Sequence, residues 1–161
     1  MSESEESEIS NVDVHSAGVS VSRDTGTKVD LILRIGGLRK RRSFFSSLVS
    51  TFKKPSDPSK MCSNATFTMF NLTTSSLHFS IDVQTDRRGK QKKGNTNRIN
   101  TYTCFIRKFP SSVNPDSAEF EIMEPASGNC FILLSLMKID NLATNWKEFQ
   151  DTNGTIDVSS L

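Results

Sequence analysis

A strict alternation of apolar and polar residues near the middle of the chain is the strongest constraint on its fold. Every second residue is large and apolar, since Leu77, Phe79, Ile81 and Val83 alternate with His78, Ser80, Asp82 and Gln84. Successive side chains of a β-strand point to opposite faces of the sheet. The alternation therefore predicts a strand with one buried face and one face toward solvent.

Further strands are predicted on both sides of this one. Residues 28–35 alternate in the same way and end at the Gly36-Gly37 pair, which indicates a turn. Residues 130–139 are apolar on both faces, as is typical of a central strand. Runs rich in β-branched and aromatic residues predict three more strands, at residues 66–72, 98–109 and 118–123.

The connections complete the predicted fold class. Residues 73–76 form a hairpin connection, residues 110–115 a turn, and residues 142–149 a short helix with Trp146 and Phe149 facing inward. We expect a loose tail or an edge strand after residue 150. A chain of 161 residues is long enough for one domain with its own core. The sequence thus predicts an α+β fold, a β-rich single domain with a mostly antiparallel sheet and one or two short helices.

Charge is strongly segregated along the chain and defines the predicted domain boundary. Residues 1–27 carry six acidic side chains and one Arg, residues 28–115 carry seventeen basic and four acidic ones, and residues 116–161 carry two basic and eight acidic ones. The first segment also lacks a large apolar anchor beyond Ile9, so we expect a disordered acidic arm over residues 1–27. The globular domain is predicted to span residues 28–161. A cationic middle between acidic ends implies an anionic partner.

The basic segment of residues 38–54 has the sequence LRKRRSFFSSLVSTFKK. On a helix, its five large apolar residues after the four cations share one face, and serines occupy much of the other. An amphipathic helix of this kind suits a surface that is anionic outside and apolar beneath, as a membrane is. We therefore predict a membrane-binding site. Its residues are Arg39, Lys40, Arg41, Arg42, Phe44, Phe45, Phe52, Lys53 and Lys54.

A second basic cluster follows the alternating strand. Residues 86–97 are predicted to form a polar loop with glycines at positions 89 and 94. Five cations lie within it and Arg98 follows it, and all six are able to contact phosphates. Aromatic side chains are scarce beside it, with Tyr102 the nearest, so base stacking contributes little. We predict a nucleic-acid or nucleocapsid contact at Arg87, Arg88, Lys90, Lys92, Lys93 and Arg98.

Catalytic and metal-binding patterns are missing from the sequence. His15 falls in the predicted arm and His78 in a strand, and neither has an acidic partner at a diagnostic spacing. Three widely spaced cysteines, Cys62, Cys104 and Cys130, fit neither a zinc site nor a disulfide framework, so we expect buried thiols in a reducing compartment. The sequence predicts no enzyme activity, no catalytic residues, no metal, no cofactor and no small-molecule substrate.

Membrane targeting is expected to be peripheral. The acidic N-terminus lacks the apolar stretch of a signal peptide, and no apolar run approaches the length of a membrane span. The sequence Asn64-Ala65-Thr66 matches a glycosylation sequon, but without a signal peptide we do not expect it to meet the glycosylation machinery.

The chain resembles the matrix proteins of rhabdoviruses, particularly the small ones of plant-infecting members. The resemblance consists of the size, the polar N-terminal arm, the basic membrane-directed segment, and the sequence FSIDVQTDRR at residues 79–88, similar to the aromatic-rich strand and basic turn that open the globular core of that family. The apolar sequence FILLSLMKID at residues 131–140 takes the place of another central strand. The proline-tyrosine motif of the family is missing, because Tyr102 follows no proline. The resemblance implies a structural protein that condenses the nucleocapsid, self-associates and lines the inner envelope leaflet.

These observations lead to one functional expectation and two alternatives. We expect a non-enzymatic viral structural protein that bridges anionic membrane lipids and the viral nucleocapsid, forms homo-oligomers by pairing its acidic arm with the basic region of the next copy, and lies at the inner face of the virion envelope and at membranes in the host cytoplasm. One alternative is an RNA-binding accessory protein, such as a plant-virus movement protein or silencing suppressor. The other is an adaptor whose basic helix binds calmodulin or an import receptor, which would bring it to the nucleus.

Overall fold

The computed structural model describes residues 12–41, 61–86 and 97–161. Within these ranges the chain forms eight strands, one α-helix and one 3-10 helix. In chain order they are β1 (Val12–Ser16), β2 (Gly18–Asp24), β3 (Lys28–Arg34), β4 (Ala65–Leu72), β5 (Leu77–Asp86), β6 (Asn97–Ile106), β7 (Val113–Met123), β8 (Phe131–Lys138), α1 (Trp146–Asn153) and the 3-10 helix Val158–Ser160.

The strands form two four-stranded sheets that face each other across one core. Sheet A has the order β1-β6-β5-β4 and sheet B the order β2-β3-β8-β7. All neighbouring strands are antiparallel except β1 and β6, which are parallel. The predicted β-rich, mostly antiparallel α+β fold is therefore confirmed. The division of the strands between two sheets goes beyond what the alternation alone predicted.

The core follows the predicted alternation closely. The four apolar residues of β5 are fully buried, and alternate apolar residues of β3 and β8 belong to the same core on the other sheet. β8 lies between β3 and β7, which confirms the prediction of a central strand. The core residues contributed by these three strands are Val29, Leu31, Leu33, Leu77, Phe79, Ile81, Val83, Ile132, Leu134 and Leu136.

The predicted acidic arm is wrong in its extent. Its first eleven residues lie outside the described part of the chain, but residues 12–24 form β1 and β2. β1 pairs with β6, more than eighty positions away in sequence, and β2 pairs with β3. Backbone ladders need no large side chains, and Val21 is small enough to be buried at an edge of the core. The absence of large apolar residues was therefore a poor indicator of disorder in this segment.

Asp24, also predicted to lie in the arm, belongs to a buried ion pair. Its carboxylate lies 2.9 Å from the Lys138 ammonium, and both side chains are almost fully buried. The carboxylate also accepts hydrogen bonds from the backbone N–H groups of Gly26 and Trp146, and Lys138 donates to the carbonyl of Thr144. Burial by itself raises the pKa of Asp24, but the hydrogen bonds from Trp146, Lys138 and Gly26 outweigh it and hold the pKa below its ordinary value.

The C-terminal region differs from its prediction in two respects. The helix spans Trp146–Asn153 and not the predicted residues 142–149. It begins at Trp146 because the side chain of Asn145 accepts hydrogen bonds from the N–H groups of Lys147 and Glu148. Trp146 is fully buried, as predicted, and its indole donates to Ser111. The tail is not loose, since Ile156 is buried and the N–H of Val158 donates to the carbonyl of Lys108.

Candidate anion-binding end

Two glycines turn the chain at the end of β3 and direct it toward the basic segment. Gly37 has φ of +81°, a conformation that disfavours other residues. A Cβ at Gly36 would lie 2.6 Å from the hydroxyl oxygen of Tyr102, so a larger residue here would require the Tyr102 side chain to shift. Leu38 then enters the core with 4% of its surface exposed. The turn thus leaves Arg39 as the first residue of an exposed cationic stretch.

Arg39, Lys40 and Arg41 are extended and exposed. The N–H of Arg41 donates to the carbonyl of Met61 at 2.9 Å, and the N–H of Ser63 donates to the carbonyl of Arg39 at 2.9 Å. Lys40 and Cys62 form an isolated antiparallel bridge. The predicted helix over residues 38–54 is therefore wrong for its first four residues, because their backbone pairs with residues 61–63. The rest of the predicted helix, residues 42–54, lies outside the described residues.

Asn64 ties this stretch to sheet A. Its side-chain carbonyl accepts from the N–H of Arg39 at 2.9 Å, and its amide donates to the carbonyls of Gly37 and Gln84, each at 2.9 Å. The carbonyl of Asn64 also accepts from the N–H of Gln84. The Asn64 side chain, which directly precedes β4, is therefore hydrogen-bonded both to the start of the basic segment and to the end of β5.

The second basic cluster begins at the same place. β5 and β6 are paired through Thr85 with Arg98 and through Asp86 with Asn97, so the connection between them leaves from the strand ends held by Asn64. Arg98 is exposed. We name this region the cationic end, and define it by Arg39, Lys40, Arg41, Asn64 and Arg98.

The predicted membrane-binding segment (residues 39–54) and the predicted nucleocapsid-binding segment (residues 87–98) start at the same end of the domain, although they were predicted separately. Six of the nine predicted residues of the first site lie outside the described residues, namely Arg42, Phe44, Phe45, Phe52, Lys53 and Lys54. In the second site, Arg87, Arg88, Lys90, Lys92 and Lys93 also lie outside them. Both segments nevertheless leave from and return to the cationic end. Residues 39–60 and 86–98 together contain thirteen Lys and Arg against two Asp, a formal charge of +11.

Two shallow grooves flank the cationic end and mix charges. One, of about 430 Å³, lies beside Arg41, Asn64 and Asp82. The other, of about 480 Å³, lies beside Arg39, Lys40 and Glu124. Neither is lined by a set of convergent catalytic groups. This geometry suits an extended anionic surface contacted by side chains on the outside of the protein better than a small ligand enclosed in a pocket.

The thiols and histidines of the described residues have structural surroundings. Cys62, Cys104 and Cys130 are buried, as predicted. Burial, with a smaller effect of the Asp157 carboxylate, raises the pKa of Cys104 to about 12, which disfavours the thiolate that a nucleophile needs. His15 stacks on Tyr102 at 5.0 Å and His78 on Phe105 at 4.3 Å.

Sequence reasoning missed Asn64 as the residue that unites the two segments. The only signal at this position was the sequon that it begins, which carries a different meaning. In the folded protein all three of its side-chain hydrogen bonds are to backbone groups of the protein itself. No helix in residues 12–41, 61–86 and 97–161 is long and apolar enough to cross a membrane.

Comparison of the chain with protein-family models, with curated proteins and with solved structures gives no match.

Proposed function

We propose that this protein is a non-enzymatic structural protein of the viral matrix type, which attaches peripherally to an anionic membrane leaflet by its cationic end. The observation that supports this most is the set of hydrogen bonds made by Asn64, which holds the roots of both basic segments together. An extended anionic surface is the partner that a group of exposed cations fits best.

The energies agree with reversible membrane attachment. Each cation near an anionic leaflet contributes about 1 kcal/mol before screening. Each phenylalanine that is buried in the acyl region adds about 1.5–3 kcal/mol. The sequence offers Phe44, Phe45 and Phe52 between the two groups of cations of the first segment. Neither contribution alone secures binding, whereas together they do.

Because the two basic segments meet at one end of the domain, the expectation that each contacts a different partner changes. The sequence predicted that residues 39–54 contact lipid and that residues 87–98 contact the nucleocapsid. Since both segments start from one end of the domain, we propose that a single molecule presents them to one partner at a time. Bridging between two anionic partners then requires a second copy.

Co-sedimentation with vesicles tests the membrane proposal. We expect the full chain to pellet with vesicles that contain phosphatidylserine and to stay in the supernatant with pure phosphatidylcholine. The variant Phe44→Ser/Phe45→Ser/Phe52→Ser should lose most of the binding, because charge alone then remains. Equal pelleting with both lipids, or an unchanged triple variant, would contradict the proposal.

RNA binding is the second candidate, and the formal charge of +11 at one end favours it as well. A protein that neutralises many phosphates loses affinity steeply with salt. Salt-dependent binding to single-stranded RNA, together with no affinity for anionic vesicles, would replace the membrane proposal with this one.

A further inference from the structure

The four edges of the two sheets are not equally protected against pairing with another strand. An edge strand exposes unpaired N–H and C=O groups and is usually blunted by charge, proline or a covering element. The edges in the described part of the chain are β1 and β4 in sheet A and β2 and β7 in sheet B. The β1, β2 and β7 edges each carry at least one of these protective features.

The β2 edge is covered by α1, and the β7 edge is protected by residues of β7 itself. The side chain of Gln150 in α1 accepts from the N–H of Val21 at 2.8 Å and donates to the carbonyl of Val19 at 3.1 Å. β7 contains Pro115 and two exposed glutamates, Glu119 and Glu121, and is interrupted by a bulge. Its free edge is therefore poorly suited to accept a strand.

The β1 and β4 edges differ in length and charge. β1 has only five residues, and Asp13 lies among them. β4 has eight residues, ATFTMFNL, with no charge, no proline and no glycine. Among the described residues, the one protective feature of this edge is a bulge between Phe67 and Met69, which increases the twist but leaves the outward backbone groups in place.

The outward backbone groups of β4 follow from the bonds at its two ends. The N–H of Gln84 donates to the carbonyl of Asn64, and the N–H of Thr73 donates to the carbonyl of Ser76. Hydrogen-bonded and non-hydrogen-bonded pairs alternate along an antiparallel ladder. Counting inward from both ends leaves four residues with backbone groups directed away from β5. They are Ala65, Phe67, Phe70 and Leu72.

β4 has the same pattern of side chains in both directions. If the bulged pair Thr68 and Met69 is counted as one position, an apolar, a polar and a Phe residue precede it, and a Phe, a polar and an apolar residue follow it. The two phenylalanines contact each other at 5.1 Å and are only partly buried at the rim of the core. Such a strand complements a second copy of itself in antiparallel orientation.

We infer that β4 is a self-association edge that pairs antiparallel with β4 of a second copy around a two-fold axis at the bulge. Phe67 of one copy then lies opposite Phe70 of the other, and Thr66 lies opposite Asn71. Cross-strand aromatic pairs stabilise such a ladder. The contact is isologous and closes at the dimer, so it extends sheet A to eight strands and goes no further.

A consequence of this geometry bears on bridging and rests on the proposed membrane function. β4 begins beside the cationic end and runs away from it. Antiparallel pairing therefore directs the cationic ends of the two copies in opposite directions. The dimer carries one cationic end toward each of two anionic surfaces, which a single copy cannot do.

The test compares two matched methionine substitutions in the full chain by analytical ultracentrifugation. Met69 lies at the proposed axis on β4 and is 37% exposed, while Met137 lies on the central strand β8 and is 42% exposed. We expect the wild type to form a dimer that persists in about 1 M NaCl, where attraction between surface charges is screened. Met69→Lys should raise the dimer dissociation constant about tenfold or more, because two like charges then face each other. Met137→Lys should leave it unchanged.

A charge-reversal mixture excludes simple misfolding of the variant. Met69→Lys and Met69→Glu should each be monomeric alone, and an equimolar mixture of the two should form a dimer again. A wild type that is monomeric at all concentrations overturns the inference, as does Met69→Lys associating like the wild type. A wild-type dimer that dissociates in high salt also overturns it, since pairing of the acidic residues 1–11 with a basic region would behave in that way. None of these results depends on lipid.

Vesicle clustering then tests the consequence separately. Wild type should both bind and cross-link anionic vesicles, whereas Met69→Lys should bind them without cross-linking. A wild type that does not bind anionic vesicles would contradict the membrane proposal, whereas the inference of a β4 dimer would still stand. Equal cross-linking by both proteins would contradict the oppositely directed dimer.

Discussion

Basic side chains are buried and paired at one end of the domain and exposed at the other. At the end where β2 and β8 finish, Lys138 is buried and paired with Asp24 at 2.9 Å. At the end where β3 finishes, Arg39, Lys40 and Arg41 are exposed, and backbone hydrogen bonds of Arg39 and Arg41 hold this stretch against residues 61–63. Burying an ion costs several kcal/mol unless its partners are well placed. The comparison shows that one end uses charge to hold elements together and that the other keeps charge available to an external anion.

The largest expected effect on the free energy of unfolding comes from disrupting the buried ion pair of Asp24 and Lys138. Asp24→Asn removes the charge opposite Lys138 and should lower the free energy of unfolding by about 3–5 kcal/mol, because an uncompensated buried ammonium remains. Urea unfolding followed by tryptophan fluorescence measures it, since Trp146 lies in the same network. Asp13→Asn, at an exposed site in β1, is the matched control and should change stability little. Asp24→Asn/Lys138→Met should recover part of the loss, and a neutral single variant would contradict this account of the pair.

A smaller effect is expected at the cationic end. Asn64→Ala removes three hydrogen bonds to backbone groups and should lower the free energy of unfolding by about 1–3 kcal/mol. It should also weaken binding to anionic vesicles severalfold although no charge changes, because the two basic segments lose their common anchor. Asn153→Ala, exposed at the end of α1 and bonded through its side chain only to the carbonyl of Phe149, controls for the loss of an asparagine. Vesicle affinity equal to wild type would argue that the convergence of the segments has no functional role.

The pH dependence of stability sharpens the comparison. The folded-state pKa of Asp24 is lowered from the ordinary value of 3.8, so its contribution is present above that value and is lost as pH falls through the lower folded-state pKa. Unfolding free energies measured by urea from about pH 6 down to about pH 2 should therefore fall more steeply for wild type than for Asp24→Asn. The variant should keep a shallower slope, because the pKa of Asp157 is also lowered: burial raises it, but hydrogen bonds from Ser159, Arg107 and Lys108 prevail. Parallel slopes would contradict the assignment to Asp24.

The smallest expected effect concerns the thiols. Burial of all three cysteines, and the raised pKa of Cys104, should make their reaction with a disulfide reagent slow at neutral pH in the native state. In denaturant all three should react quickly. Rapid reaction of Cys104 in the native protein, identified by mass spectrometry, would show that its surroundings are more open than the fold indicates.

The strands of the core were predictable because their sequence carries the signal directly. The alternation in β3 and β5 and the apolar run in β8 correspond to residues that are buried in the structure. β1 and β2 were missed because their stability comes from pairing with β6 and β3 and from the buried ion pair of Asp24. Neither kind of interaction has a local pattern in the sequence.

The candidate site was predictable in its charge and not in its arrangement. The basic residues were identified individually, and they were assigned to two separate partners. Their common origin depends on contacts of Asn64 with Gly37, Arg39 and Gln84, which are distant in sequence. The helix predicted for residues 38–54 failed at its start for the same reason, because the pairing of Lys40 with Cys62 overrides local periodicity.

A pair of charge-matched variants tests the central claim most directly. Arg39→Ser/Arg41→Ser and Arg107→Ser/Lys108→Ser each remove two exposed cations, the first pair at the cationic end and the second just after β6, at the opposite end of that strand from Arg98. In co-sedimentation with phosphatidylserine vesicles, the account predicts that the first variant loses affinity by about tenfold or more and that the second stays close to wild type. Equal losses in the two variants would mean that net charge alone attracts the protein to the membrane, and would contradict a binding surface at the cationic end.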